Sequence, residues 1–456
     1  FSPVVKYAWG EANSPNDQHD VMMTPVVIQL DDDTCDGVVD ERDIPEIVFL
    51  SFEGGAYTTN GTLHAISIVN GAVVEKWASK PLTSPNQPGR AIAAGNIDGL
   101  PGNEIVVCTS DNRVRAYGAD GTELWLSPAK APCLMPSLAD LDQDGDVEVI
   151  VESQILDGVT GTPVVPAFSP GNLSNVIVSD VDNPPDGKLD IVTAGKVYRS
   201  DGTLLADTGL VNEALLDTYS RAFPAVGDLD GDGVAEIVAS YGPAGATGIH
   251  DLVVWRVDPS APGGFTVIRQ GVDVNGLLGL GNCTAISNGG QRGGGPPTVA
   301  DFNGDGVADV ALAGGVGYAV FDGKKLMDPA VSDVDTILWI TPTQDCSSAF
   351  TGSSVFDFDG DGKAEVVYGD ELLRHVYAGV DGSVLFETCN TNGTLFEYPL
   401  VADVDNDGQA DIVVVSNSYH DPFKCADGTQ TAGVRIFGDA NGNWVRTRRV
   451  WNQHAY

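Results

Sequence analysis

One phrase recurs along this chain: a short apolar stretch, an acidic loop containing glycine, then a β-branched run. Eight copies can be read in order: VVIQLDDDTCDGVVDERDIPEIVF, AAGNIDGLPGNEIVV, SLADLDQDGDVEVIV, IVSDVDNPPDGKLDIV, AVGDLDGDGVAEIVA, TVADFNGDGVADVAL, VFDFDGDGKAEVVY and VADVDNDGQADIVV. They are spaced 40 to 73 residues apart, so the connections vary while the unit persists. After several copies comes an Asp-Gly turn between apolar residues, as in GADGTELWLS, RSDGTLLAD and AGVDGSVLFE. Asp-Gly supplies the positive φ that a two-residue hairpin turn needs. Each unit therefore reads strand, acidic loop, strand, turn, strand, hairpin, strand. Repeated radially, that unit predicts an all-β fold, an eight-bladed β-propeller of four-stranded antiparallel blades, with seven blades as the alternative count.

Length alone, 456 residues, points to two or three domains, but a repeat array overrides that rule. One domain over 1–456 is expected, with acidic loops at about 29–46, 96–104, 140–148, 180–190, 228–236, 301–309, 357–365 and 403–411. Both FSPVVKYAWG at the start and WVRTRRVWN near the end resemble the strand that would complete the last blade. The chain opens without Met, which reads as a processed form or a portion of a longer multidomain protein.

The loops carry the chemistry. In DLDQDGDVE, Asp140, Asp142 and Asp144 alternate along a tight turn, Gly145 permits the bend, the Asp146 carbonyl faces inward and Glu148 closes the ring. Carboxylates at positions 1, 3, 5 and 9 with a carbonyl at 7 form an oxygen cage for a hard cation, in a geometry that favours Ca²⁺ over Mg²⁺. The same places are filled by Asp228, Asp230, Asp232, the Val234 carbonyl and Glu236, and by Asp301, Asn303, Asp305, the Val307 carbonyl and Asp309. They are filled again by Asp357, Asp359, Asp361, the Lys363 carbonyl and Glu365, and by Asp403, Asp405, Asp407, the Gln409 carbonyl and Asp411. Two prolines interrupt the fourth copy, leaving Asp180, Asp182, Asp186, the Lys188 carbonyl and Asp190.

Two copies depart from this pattern. In the second, Leu100 replaces the position-5 carboxylate beside Asn96, Asp98 and Glu104, so weak metal binding or none is expected. The first is expanded, and its insert resembles an EF-hand loop: Asp32, Thr34, Asp36, Gly37 for the turn, the Val38 carbonyl, Asp40, and Asp43 at position 12. The expectation is six to seven structural Ca²⁺ ions. At a Kd near ~10⁻⁵ M, millimolar calcium would contribute about 2.7 kcal/mol per site. Several such sites match the whole net stability of an ordinary domain, so the fold should depend on the metal.

Taken together, the units resemble the FG-GAP/VCBS repeats of integrin-α-type propellers over about residues 25–450. The ending NWVRTRRVWNQHAY also resembles the end of the repeat region in large bacterial surface proteins. This resemblance implies an extracellular or cell-surface calcium-binding propeller used in adhesion.

Charge narrows the partners. With 64 Asp+Glu against 24 Lys+Arg the formal charge is -40, which repels nucleic acid and anionic lipid. No apolar run is long enough to span a bilayer, so no membrane insertion is expected. The seven cysteines show no metal-ligand spacing and are read as disulfides of an exported protein. Candidate pairs are Cys108 with Cys133, Cys283 with Cys346 and Cys389 with Cys425, leaving Cys35 over.

The reading is a calcium-stabilised extracellular propeller that serves as an adhesion or scaffold module, binding a protein or glycan ligand at the cell surface or matrix. The alternatives are a polysaccharide-lyase-type enzyme and a structural subunit of a surface assembly that self-associates. No catalytic residues are assigned, because the six histidines are scattered. Arg446, Arg448 and Arg449 are read as the solvated face of a terminal strand. The long connection 241–297 with Arg292, and the segment 51–90, are candidate recognition loops. Trp77, Trp125, Trp255, Trp339 and Trp451 are read as outer-strand packing residues.

Overall fold

The computed structural model describes residues 1–10, 19–152, 154–165, 175–210, 222–241, 251–274, 294–348 and 350–454. Eight antiparallel sheets follow one another along the chain, seven of four strands and one of five. We number them as blades 1 to 8 and count the strands of each from the axis outward. The second strands start at Glu46, Glu104, Glu148, Asp190, Glu236, Asp309, Glu365 and Asp411, each directly after an acidic loop. They are buried β-branched runs such as Glu46–Phe52 and Asp411–Ser416, covered on both faces by the adjoining sheets. Innermost strands of successive blades pack side by side around the axis. Eight blades, and not seven, is the count.

The ring closes with strands from both ends of the chain. Blade 8 contains Leu400–Ala402, Asp411–Ser416 and Gly433–Asp439, and its outer strand is Pro3–Trp9 from the N-terminus. Of the two sequence candidates, FSPVVKYAWG therefore takes the place. The segment from Trp444 onward is instead a strap along the acidic-loop side. Val445 bonds Phe358 and Ala410, Arg448 O accepts from Asp403 N, and Trp451 exchanges two backbone bonds with Val27. Beyond it, Asn452 reaches Ala94 and the Gln453 side chain reaches Leu138. His454 packs against Tyr398 inside the axial channel, with ring centroids 4.2 Å apart and the planes tilted by 40°. The expectation of a terminal strand at Arg446–Arg449 is thus corrected, since the segment carries no ladder; Arg446 and Arg448 are exposed, as a solvated face requires, but Arg448 lies over the Trp451 ring and Arg449 pairs with buried Asp403 at 3.2 Å. Trp451 is likewise a strap residue and not an outer-strand one.

Neighbouring blades are keyed by an indole and a glycine. The Nε1 groups of Trp77, Trp125 and Trp339, on outer strands, donate to Ala119 O, Gly158 O and Gly379 O in the hairpin turn of the next blade. At those turns Gly121, Gly161 and Gly382 have φ of +78°, +65° and +69°, and an added Cβ would fall 2.7, 2.3 and 2.4 Å from the indole. Trp255 differs, sitting on a third strand and reaching back to Ala194 O of the preceding blade. A second recurrent feature is a one-residue β-bulge in the outer strand of every blade. Bulges twist an exposed edge away from pairing with another chain.

On the side opposite the acidic loops, Cys108–Cys133 and Cys389–Cys425 are disulfides with Cα separations of 5.4 and 5.7 Å. Cys346 is also disulfide-bonded, whereas Cys35 is free and exposed. Cys283, Arg292 and the segments 242–250 and 275–293 of the 241–297 connection lie outside the described residues. No helix among the described residues is long and apolar enough to cross a membrane.

Candidate metal centres

The acidic loops of blades 3 to 8 are built by the same local rule. The position-1 carboxylate folds back over the turn and accepts backbone N–H groups: Asp228 takes Gly231 at 2.7 Å, Asp232 at 3.1 Å and Gly233 at 3.0 Å. Asp301 and Asp357 repeat this wrap, and Asp140 repeats two of its three bonds, to Asp144 and Gly145. The position-5 carboxylate accepts the position-7 N–H, as Asp232 does from Val234 at 2.8 Å and Asp361 from Lys363 at 2.9 Å. The carboxylate that opens the second strand accepts the position-2 N–H, as in Glu236 with Leu229, Glu365 with Phe358 and Glu148 with Leu141. The position-1 acid thereby spends both oxygens on the backbone, whereas the acid that opens the second strand spends only Oε2 there, as Glu148, Glu236 and Glu365 do.

The result is a set of convergent oxygens. Asp140, Asp142 and Glu148 each bring an oxygen within 4.8 Å of the others, as do Asp228, Asp230 and Glu236, Asp180, Asp182 and Asp186, and Asp357, Asp359 and Asp361. Burial pushes the innermost acid up in each: Glu236 and Glu365 to about 7, Asp190 and Asp309 to about 6, and Glu148 in the same direction. Neighbouring carboxylates add to the rise. A divalent cation would relieve that repulsion, and the all-oxygen donor set suits a hard ion. These residues fit calcium.

Basic side chains distinguish the loops. In blade 5, Arg256 bridges Asp232 and Glu236 at 2.9 and 3.3 Å. Single contacts are made by Arg199 on Asp182, Lys324 on Asp305 and Lys363 on Asp361. The loop at 140–148 meets no ion pair among the described residues. In blade 8, by contrast, Lys6 Nζ lies 2.7 Å from Asp405, 2.9 Å from Asp407 and 3.0 Å from Asp411. Tyr7 OH donates to Asp405, and Arg449 to Asp403, whose Oδ1 is buried without a hydrogen-bond partner. Burial works against the Lys6 charge, but its bonds to the three carboxylates outweigh that and raise its pKa above the ordinary value.

The first loop holds two acid sets. In the EF-hand-like set the acids hold the loop itself: Asp32 accepts from Asp36, Gly37 and the Thr34 hydroxyl, and Asp43 accepts from Thr34 and Asp40. Arg42 pairs with Asp36 and Asp40 beside it. The second set is Asp31, Asp33 and Glu46, which counting from the EF-hand-like insert misses. Aligning the β-runs would find it, since Glu46 opens EIVF as Glu104 opens EIVV, and it accepts the loop amide of Leu30 at 2.8 Å. Lys76 Nζ bonds all three, Asp33 at 3.1 Å and Glu46 at 2.8 Å. In blade 2 the Asn96 amide donates to Leu100 O at 2.6 Å, so a neutral side chain stitches the loop whose sequence is poor in metal ligands.

Elsewhere, the axial channel leaves a cavity of about 440 Å³ lined by Ser179, Thr298, Ser353, Tyr398, Arg448 and His454 among others. Phe223, Phe350 and Phe396 cluster near one end, with ring centroids 5.6 to 6.2 Å apart. Tyr318, Tyr368, Tyr377 and His375 pack between blades 6 and 7, with His375 stacked on Tyr368 and Tyr377, but all four are buried.

No family model matches the chain, so membership of the FG-GAP/VCBS family is not shown, and no curated protein matches either. Solved structures do. The V. cholerae biofilm matrix protein Bap1 superposes with a TM-score of 0.74 at 18% identity, covering 100% of this chain and 94% of that one. A europium-containing methanol dehydrogenase gives 0.51 at 12% identity over 96% of this chain and 93% of that one. The Dos1 propeller gives 0.49 at 10% identity, over 96% and 95%. At such identities the likeness is one of architecture, and it runs the whole length of the chain: an eight-bladed propeller similar in fold to a biofilm matrix protein.

Proposed function

We propose that this chain is a calcium-stabilised extracellular propeller that serves as an adhesion or scaffold module, presenting a protein or glycan ligand-binding surface at the cell surface or in a matrix. The observation that carries the reading is the whole-length superposition on a biofilm matrix protein. Two further features support it. Disulfides suit an oxidising compartment. Convergent acidic loops recur on one side of the ring, and they fit an ion abundant outside cells.

In this reading the residues act structurally. Asp140, Asp142, Asp144 and Glu148, and their counterparts in blades 5, 6 and 7, would hold calcium and fix the loops that join first to second strands. Recognition then falls to surface connections on a rigid ring. The test is a glycan and matrix-protein binding screen run in calcium and in EDTA, beside calorimetric titration of the calcium-free chain with CaCl₂. Saturable binding to a matrix glycan or protein that is lost in EDTA is the expected result. Absence of heat on calcium titration, with no matrix ligand captured, would reject the proposal.

A further inference from the structure

Lys6 and Lys76 occupy matching stations. Each is the unpaired residue of its blade's outer-strand bulge, Lys6 between Val5 and Tyr7 in blade 8, Lys76 between Glu75 and Trp77 in blade 1. In the other six blades the residue at that station is aliphatic: Leu124, Val164, Leu205, Ile268, Leu338 and Leu385. A bulge residue leaves the ladder and is re-aimed. In these two blades, and in no other among the described residues, it carries an ammonium into the acidic loop and bonds three carboxylates at once.

We propose that the acidic loops of blades 8 and 1 are neutralised from within the chain by Lys6 and Lys76, which take the place of the divalent ion, so that the seam of the ring closes without calcium. A metal bound to the same oxygens would lie about 2.3–2.6 Å from each of them, in the space the ammonium fills. Tyr7 of the same strand donates to the Asp405 oxygen that Lys6 also meets, and Arg449 of the strap donates to Asp403. The two blades are those where chain ends meet, and Lys6 joins residues about 400 positions apart in sequence. A cation carried by the closing strand makes the loop and the strand order together.

This inference rests on the calcium reading of the remaining loops, and the experiment separates the two. Hydrogen exchange of the wild-type chain is followed in CaCl₂ and in EDTA for peptides covering 140–148 and 403–411. Calcium at about 100 times its Kd should slow exchange of 140–148 by up to about a hundredfold and leave 403–411 unchanged within about twofold. Lys6→Gln should make 403–411 respond to calcium and raise the bound calcium, measured by elemental analysis, by one ion per chain; Lys76→Gln should do the same at 31–46. Equal calcium protection of 140–148 and 403–411 in the wild type overturns the inference and leaves the calcium reading standing. No response at either peptide overturns both.

Discussion

The indole–glycine key between blades makes a quantitative prediction. Gly161 sits at φ +65°, and a Cβ there would lie 2.3 Å from the Trp125 ring, whose Nε1 donates to Gly158 O at 2.8 Å. Gly161→Ala therefore incurs two costs. The left-handed backbone costs an L-residue about 1–2 kcal/mol. Displacing the indole forfeits its hydrogen bond, about 1 kcal/mol, and part of its burial, about 1–2 kcal/mol. The sum is about 3–5 kcal/mol. Gly71 is the control: it has φ +76° in the corresponding hairpin of blade 1, and a Cβ added there would meet nothing within 4 Å, so Gly71→Ala bears only the first cost. Unfolding entropy near 2.1 cal/mol/K per residue gives about 1 kcal/mol/K for 456 residues. Scanning calorimetry at fixed calcium should then show a midpoint drop of about 3–5 °C for Gly161→Ala and about 1–2 °C for Gly71→Ala. In a Trp125→Ala background the cost of Gly161→Ala should shrink to that of the control, because the two residues share one contact. Equal effects of the two alanines, or a Gly161 effect that survives loss of the indole, would refute the argument.

Chelation with EDTA should lower the melting temperature by several degrees if even two loops each bind calcium with the ~2.7 kcal/mol assigned above, and restoring CaCl₂ should reverse it. Glu152 is buried, with its Oε2 unpartnered, and burial raises its pKa from 4.5 to about 7. Folding then holds a proton that the unfolded chain releases, so this group's stability is present below about pH 4.5 and lost as pH rises through 7. Glu152→Gln should accordingly be stabilising by up to about 3 kcal/mol at pH 8 and near neutral at pH 4, read by denaturant melts at both values. Replacing Cys108 and Cys133 by serine opens a loop of 25 residues and should cost about 3.5 kcal/mol, whereas Cys35→Ser should leave the melt unchanged.

The blade count and the wraps at Asp140, Asp228, Asp301 and Asp357 are legible in the sequence because each is local: a turn, its acids and the strand after it lie within about ten residues. Pairings across the ring are not. Nothing near Lys6 in sequence marks it as the partner of Asp405, Asp407 and Asp411, since a bulge station is defined only once Pro3–Trp9 pairs with Gly433–Asp439. The strap is misread for the same reason: WVRTRRVWN has the alternation of a strand, but its backbone bonds go to Phe358, Ala410, Asp403 and Val27, on three different blades. The first loop misleads differently, because an EF-hand-like insert draws attention from Asp31, Asp33 and Glu46, the acids that keep the blade's own frame.

Closure by Pro3–Trp9 has a consequence for biogenesis. Within the ring, Pro3–Trp9 comes before every other strand in the chain and waits for partners that come last, so seven blades can assemble while the eighth remains an unfinished edge. During that interval Val4 and Val5, still exposed in the finished ring, lie on an unpaired strand open to intermolecular pairing. Contacts of such separation are slow to form. The chain would therefore be most vulnerable to aggregation just before Gly433–Asp439 is made, and a chaperone holding Pro3–Trp9 would protect the whole ring.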